Sequence, residues 1–323
     1  MSVQGRDVGP VSMTCEVLDR RRLGRYWGLT LSAPEIARRA APGQFVNIAV
    51  SAPGTLLRRP FSIAGAALGG HVAGTIDVVL DPHGPGTDML AGVPPGASLE
   101  VLGPLGRAFP LPQRRVSALL VGGGYGAAPM YYLGERLRAE GHRVNFLVGA
   151  ADSSRIIDPI VPKRMATWSS FTTEDGSMGH RGRVTDLLAE DLETTAAEVV
   201  YACGPNAMLA AVGDICEAAG VPCQVAVEEH MACGVGVCMT CILPIHTRKG
   251  VQNRRVCVDG PVFTSTRIAW EESRYTETAH EPVDDDLDDR DASDHDGRGP
   301  DDSRADEGHF TAGVRTVRTG GRR

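Results

Sequence analysis

Cys233, Cys238, Cys241 and Cys257 are the residues most suited to chemistry in this chain of 323 residues. They read C-G-V-G-V-C-M-T-C, and the fourth follows after fifteen intervening residues. Two tetrahedral irons bridged by sulfide need four thiolates, and C-x4-C-x2-C…C is the spacing of a plant-type [2Fe–2S] centre. Such a centre passes single electrons. Gly234 and Gly236 lie between the first two cysteines, where small residues let backbone N–H groups come close to sulfur. A structural zinc site with four thiolates is the alternative, although it favours paired C-x2-C spacings. Cys15, Cys203, Cys216 and Cys223 show no regular spacing and read as small buried apolar residues, with Cys203 open to a further role. A disulfide framework belongs to small secreted chains.

Further groups of residues suit a redox relay. In Arg58-Arg59-Pro60-Phe61-Ser62-Ile63, Arg59 can pair with a pyrophosphate, Phe61 can pack on a flavin ring and Ser62 can hydrogen-bond near its reactive nitrogen. Taken alone, the same string is also an ordinary strand end at a barrel edge. Gly84-Pro85-Gly86-Thr87 and Gly103-Pro104-Leu105-Gly106 can bring backbone amides to phosphate oxygens, or can be two hairpin turns. Gly122-Gly123-Gly124-Tyr125-Gly126-Ala127-Ala128-Pro129 departs from a strict G-x-G-x-x-G, yet it puts small residues where a pyrophosphate meets a helix N-terminus. A structural glycine turn is the alternative there. Cys203-Gly204-Pro205 follows another apolar strand and is expected at the same sheet edge, where open α/β sheets bind ligands. Neither a G-x-S-x-G elbow nor an H-E-x-x-H helix occurs, so no motif argues for hydrolysis. His230 sits beside the cysteine loop and has no ligand role in a site already complete in cysteine.

These groups need positioning, and the chain divides by texture into elements that can do it. From about Val11 to Leu111, short apolar runs such as 45–50, 75–80 and 98–102 are split by Gly and Pro, with little helical periodicity. They predict an N-terminal antiparallel β-barrel over 1–112. From Val116 the order becomes strand, glycine turn, helix, strand, which predicts a parallel-sheet α/β domain over 113–222. The cysteines occupy glycine-bearing loops in a third segment, 223–270. The fold class expected is therefore α+β and multidomain. The last segment, 271–323, is expected to be a disordered acidic tail. From Glu281 onward it holds 13 acidic residues against 7 arginines, so it carries most of the net charge of −7 and leaves the body nearly neutral. Neither part has the basic stripe of a nucleic-acid binder. No apolar run is long enough to span a membrane, and the first ten residues lack a secretory apolar core, so a cytoplasmic location is expected.

The order of these motifs, with R-x-F-S followed by G-T, G-P-L-G, G-G-G-x-G-x-x-P and C-G-P, resembles the ferredoxin–NADP reductase superfamily over about Val11 to Gly220. Adding the cysteine set, the chain resembles the electron-transfer subunits of NAD-dependent dihydroorotate dehydrogenase from about Val11 to Phe263. The strings Leu57–Ile63, Leu102–Gly106, Tyr201–Asn206, Glu228–Gly234 and Val256–Phe263 carry that resemblance. It implies FAD at Arg59, Pro60, Phe61 and Ser62, at Val79, Leu80 and Asp81, and at Gly86 and Thr87. It also implies the cluster on the four cysteines. NAD is assigned to Gly122, Gly123, Gly124, Gly126 and Pro129 with Cys203, Gly204 and Pro205. The implied partner is an FMN-containing dihydroorotate dehydrogenase catalytic subunit, in a heterotetramer with two of each. Electrons would pass from its FMN through the cluster and FAD to NAD+ during pyrimidine (UMP) biosynthesis. FAD must sit between the other two because it handles both one and two electrons. No general acid or base in this chain is required. The alternative is the same relay serving a sulfite reductase, a hydrogenase or a ferredoxin:NADP oxidoreductase. The chain departs from the family at Asp81, where a basic residue is usual, and in its acidic tail.

Overall fold

Strand β1 (Val11–Leu23) alternates along its first half, with Cys15 and Val17 turned inward and Thr14 and Glu16 outward. This period of two is what a half-buried strand requires. The same logic holds for β2 (Tyr26–Ser32), β3 (Phe45–Ile48), β4 (Arg59–Ala67), β5 (Thr75–Leu80) and β6 (Ser98–Leu105). The six close into an antiparallel barrel in the order β1-β2-β5-β4-β3-β6, with β6 pairing back to β1. Its interior is filled by Val17, Leu29, Leu31, Val46, Ile48, Phe61, Ile63, Ile76, Val78 and Val101. Two short helices, α1 (Pro34–Arg39) and α2 (Pro85–Gly92), sit in the connections, each opened by proline in its first turn. The computed structural model describes residues 9–69 and 74–273. From 274 onward, the segment expected as an acidic tail lies outside the described residues.

Beyond residue 116 the apolar runs become continuous, as strands covered on both faces must be. The chain runs through β7 (Ser117–Gly123), α3 (Ala127–Ala139), β8 (Arg143–Ala150), α4 (Ile160–Met165), β9 (Trp168–Thr173), β10 (His180–Arg181), α5 (Val184–Thr195), β11 (Val199–Cys203), α6 (Asn206–Ala218) and β12 (Cys223–Ala226). Then come the hairpin of β13 (Ile242–Thr247) and β14 (Gly250–Arg255), the single turn α7 (Val256–Asp259), and β15 (Val262–Thr264). The sheet order is β10-β9-β8-β7-β11-β12-β15, parallel except for β15. Two of its strands, β12 and β15, therefore come from the segment that carries the cysteines. From β7 the chain first builds outward to β8 and β9, then returns to place β11 on the other side. The gap between the ends of β7 and β11 is thus the switch point where such sheets hold ligands.

Two cores flank this sheet. On one side α3 packs with Tyr131, Leu133 and Leu137 against Leu120, Phe146 and Val148, joined by Tyr26 of the barrel. On the other, α5 and α6 pack on Leu119, Val121 and Val200 together with Cys241, Leu243, Ile245 and Cys257 of the cysteine segment. The linker residue Phe109 meets Tyr201 edge-on, with ring centres 5.4 Å apart, and Tyr201 donates to the Pro110 carbonyl. Among the described residues, no helix is long and apolar enough to cross a membrane.

Candidate redox centre and dinucleotide crevice

The four cysteines come from two places. Cys233, Cys238 and Cys241 lie on the irregular stretch before β13, and Cys257 lies in α7. Val256 N–H donates to the Cys241 carbonyl at 2.7 Å, which seats α7 on the loop. Arg255 Nη1 donates to the Gly236 carbonyl, also at 2.7 Å, and closes the loop from the other side. Backbone N–H groups of Val235, Val237 and Cys238 converge on Cys233 Sγ at 3.5, 3.3 and 3.4 Å. Thr240 Oγ1 donates to Cys238 Sγ at 3.1 Å. That hydroxyl, then the groups of Cys233, hold the Cys238 thiol down to about 6. Burial, followed by the neighbouring Cys241, pushes Cys257 up to about 12.

Cys233 acts on Cys238, and both Cys241 and Cys233 act on Cys257, so the four sulfurs lie together as one group. Among the described residues, no three His, Cys, Asp or Glu side chains converge as a cage for a single ion. Four thiols gathered from two segments, with N–H donors already aimed at sulfur, fit a binuclear iron centre. Cys238 is exposed, whereas Cys241 and Cys257 are buried, so one side of the centre faces outward.

The barrel meets this loop through Asn47 on β3. Asn47 is 1% exposed, and its Nδ2 donates to the Cys233 carbonyl at 3.2 Å. The approach is so close that a Cβ on Gly234 would stand 2.1 Å from that nitrogen, and Gly234 also has φ +67°. Asn47 pairs in register with Pro60, and Ile48 with Arg59, so the cysteine loop abuts the strand next to the one that begins with Arg59. Asn47 Oδ1 is buried without a hydrogen-bond partner. An acceptor left in this state costs about 1–3 kcal/mol, which a donor from a bound group would relieve.

Arg59 opens β4, and its guanidinium lies on the first turn of α2, where a Cβ on Gly86 would be 2.9 Å from Nε. Thr87 Oγ1 accepts from His83 N–H at 3.0 Å and donates to the Gly84 carbonyl at 3.1 Å, which shapes the turn into α2. A guanidinium at a helix start, with small residues around it, fits a pyrophosphate. The string around Gly86 is therefore the beginning of a helix and not a hairpin turn. Alternation along β4 turns Phe61 into the barrel core and leaves Ser62 exposed. The face open to a ligand is thus formed by Pro60 and Ser62, with the Phe61 ring behind it and the Arg59 guanidinium beside the start of α2. Val79 faces the α/β core beside Ala64, and Leu80 faces the barrel interior. Asp81 is held by Arg25, whose Nη2 and Nε donate to Oδ1 at 3.0 and 3.2 Å. The carboxylate thus carries its own cation from the β1–β2 turn.

At the switch point the two turns lie together. Cys203 pairs in register with Gly122, and a Cβ on Gly126 would be 2.6 Å from the Cys203 carbonyl oxygen. Gly204 packs on Gly123, and Pro129 is buried in the first turn of α3. These small residues let the glycine turn, the Cys203 turn and the start of α3 pack closely, with Ala127 N–H donating to the Gly124 and Tyr125 carbonyls inside the turn. Burial pushes the Cys203 thiol well up, and the nearby Glu228 adds to this.

Sequence reasoning did not single out Asn47, Glu228, Tyr26 or Tyr125. A polar residue inside the apolar run 45–50 was the available signal for Asn47, and the sole bulky residue of the glycine turn for Tyr125.

A family model for the iron–sulfur cluster binding domain of dihydroorotate dehydrogenase B matches residues 228–269, and one for an oxidoreductase NAD-binding domain matches residues 120–214. The "dihydroorotate dehydrogenase B (NAD(+)), electron transfer subunit" of Desulforamulus reducens is 34% identical over 244 residues, covering 75% of this chain and 92% of that protein. The protein of the same description from Geobacillus thermodenitrificans is 36% identical over 270 residues, covering 81% and 99%. A solved NADH-dependent reduced ferredoxin–NADP oxidoreductase is 25% identical with a TM-score of 0.69, covering 84% of this chain and 92% of that one. The Amycolatopsis cytochrome P450 reductase GcoB, 22% identical with a TM-score of 0.55 and covering 66% and 68%, shares the fold.

Proposed function

Because this chain belongs to the family of dihydroorotate dehydrogenase B (NAD(+)) electron transfer subunits, we propose that it carries electrons from a dihydroorotate-oxidising partner to NAD+ in pyrimidine biosynthesis. Bound FAD would exchange one-electron for two-electron chemistry, the [2Fe–2S] cluster would pass single electrons, and NAD+ would accept the hydride.

The observation that carries this reading is the Asn47–Cys233 hydrogen bond, at 3.2 Å, between the flavin-side barrel wall and the first cluster cysteine. It supports a short separation between the two redox sites. On this reading Arg59, with the α2 start at Gly86 and Thr87, holds the FAD pyrophosphate. Ser62 and Val79 line the ring site, and Pro60, Phe61 and Leu80 fix its wall. Asp81 serves indirectly by fixing Arg25. The amides around Gly122, Gly123, Gly124 and Gly126 at the start of α3, where Pro129 sits, hold the NAD pyrophosphate. Cys203, Gly204 and Pro205 form the opposite wall. Cys233, Cys238, Cys241 and Cys257 ligate the irons.

The exposed Val237 and Met239 flank Cys238, so an apolar rim surrounds the outward side of the centre. That rim suits a protein electron donor, which we take to be the FMN-bearing catalytic subunit in a two-plus-two complex. The segments 1–112, 113–222 and 223–270 are assigned to FAD, NAD and the cluster, and the location to the cytoplasm.

The test is co-purification with a dihydroorotate dehydrogenase catalytic subunit, followed by the rate of NAD+ reduction on adding dihydroorotate. The complex is expected to make NADH, and the catalytic subunit alone is not. A complex that reduces a dye with dihydroorotate but never NAD+ would reject the reading.

A further inference from the structure

Tyr125 is the one bulky side chain in the turn Gly122–Gly126, and it stands 43% exposed at the crevice. Its phenol donates to Glu228 Oε2 at 2.6 Å, joining the glycine turn to the cysteine segment just beyond β12. Its ring meets Tyr26 edge-on, with centres 6.2 Å apart at 67°. Tyr26 is only 2% exposed, so it is a fixed wall for Tyr125. The main chain of Glu228 is pinned as well, because Asn206 Nδ2, at the start of α6, donates to its carbonyl at 3.2 Å. The Glu228 carboxylate is thus fixed from both ends beside Cys203.

We propose that Tyr125 is a positioning residue that holds the Glu228 carboxylate ready to accept a hydrogen bond from the carboxamide N–H of a nicotinamide ring. This rests on the reading of the crevice as the NAD(H) site. Glu228 lies beside Cys203 and the glycine turn that opens α3, so a dinucleotide whose pyrophosphate sat at that turn would bring its nicotinamide half within reach of this carboxylate. Oε2 accepts the Tyr125 hydrogen bond, which leaves Oε1 for the ligand. A carboxamide offers two N–H donors, and a carboxylate is the stronger kind of acceptor for them.

The charge of Glu228 is the quantity that Tyr125 controls. Burial raises the Glu228 carboxyl above its ordinary value, and the Tyr125 hydroxyl works against that rise. The titratable groups facing the pair are Cys203 from the end of β11, Asp81 from the end of β5 and Tyr26 from β2. Cys203 and both tyrosines stay protonated near neutrality, each raised chiefly by burial. Removing the Tyr125 hydroxyl therefore leaves Glu228 protonated to a higher pH.

The test is calorimetric titration of the FAD- and cluster-loaded protein with NADH, and separately with ADP-ribose, which lacks nicotinamide. Tyr125→Phe keeps the ring against Tyr26 and removes only the donor. It and Glu228→Gln should each weaken NADH binding about tenfold, as loss of a charge-assisted hydrogen bond does. The double variant should lose no more than either single one, because both break one unit. ADP-ribose should bind all of them as it binds the parent. The acid-side loss of NADH affinity should move to higher pH in Tyr125→Phe and vanish in Glu228→Gln. Equal NADH affinity in Tyr125→Phe and the parent would overturn the proposal, and so would equal losses of NADH and ADP-ribose. A parent that binds neither ligand would instead overturn the reading of the crevice itself.

Discussion

Arg59 shows how one side chain can serve two elements. It begins β4, yet its guanidinium rests on the first turn of α2, with Nη1 donating to the Leu57 carbonyl at 2.7 Å. That internal bond uses one of five N–H donors and fixes the fork, so the remaining donors are preorganised for phosphate. Arg59→Ala is expected to weaken FAD retention by about tenfold or more, the worth of a charge-assisted phosphate contact. Flavin fluorescence after dialysis measures it, and a variant that holds flavin like the parent would reject the role. Arg59→Lys should recover only part of the loss, because a point charge cannot copy the fork. Asp81 is the opposite case. Its sign looks wrong for a phosphate site until Arg25 is seen to neutralise it, with side-chain exposures of 34% for Arg25 and 18% for Asp81.

Among the elements, α5 carries a buried charge whose cost depends on pH. Asp191 is 3% exposed, and its Oδ1 accepts from Trp168 Nε1 at 2.9 Å and from Ser170 Oγ at 3.0 Å. Burial raises its carboxyl in spite of those two donors, and Oδ2 has no partner. The folded chain therefore binds this proton more readily than the unfolded chain does. Its contribution favours folding least once pH lies above the raised folded value, and the penalty fades as pH falls toward the unfolded carboxyl value of about 3.9. Asp191→Asn keeps the Oδ1 acceptor and should flatten this part of the profile. Urea midpoints measured across that window for both proteins will show it. An unchanged slope would mean that Asp191 is not the group responsible.

The elements also show what could be read from the chain. The cysteine spacing, the glycine turn after β7 and the C-G-P after β11 were legible because each works within a few consecutive residues. Helix α2 was not, since Gly84, Pro85 and Gly86 read as turn formers, whereas a proline at the first helical position is also a common start. Strand β1 escaped because only half of its residues are apolar along a run dense in arginine. The contacts between Asn47 and Cys233, and between Tyr125 and Glu228, span 186 and 103 residues. No local pattern encodes such pairs, because tertiary packing alone brings them together.

At the scale of the whole molecule, the core that flanks the parallel sheet on one side is built partly from the cysteine segment. Val225 and Val200 share it with Leu243, Ile245 and Val256. Strand β15 closes the sheet edge beside β12, so the segment that would bear the irons also finishes the nucleotide fold. Two of its sulfurs are locked in this shared interior, while Cys238 stands at the rim among Val235, Val237 and Met239. Such asymmetry sets a weak point. Oxygen, peroxide and chelators approach from the Cys238 side, and thiolate reactivity follows exposure. An assembled complex whose partner caps that rim should lose iron to a chelator in air several-fold more slowly than the lone subunit. Iron release followed by the bleaching of visible absorbance will decide it, and equal rates would place the partner elsewhere. Survival of the metal centre in air then becomes a property of the pair, with companionship acting as a shield that the described residues do not supply.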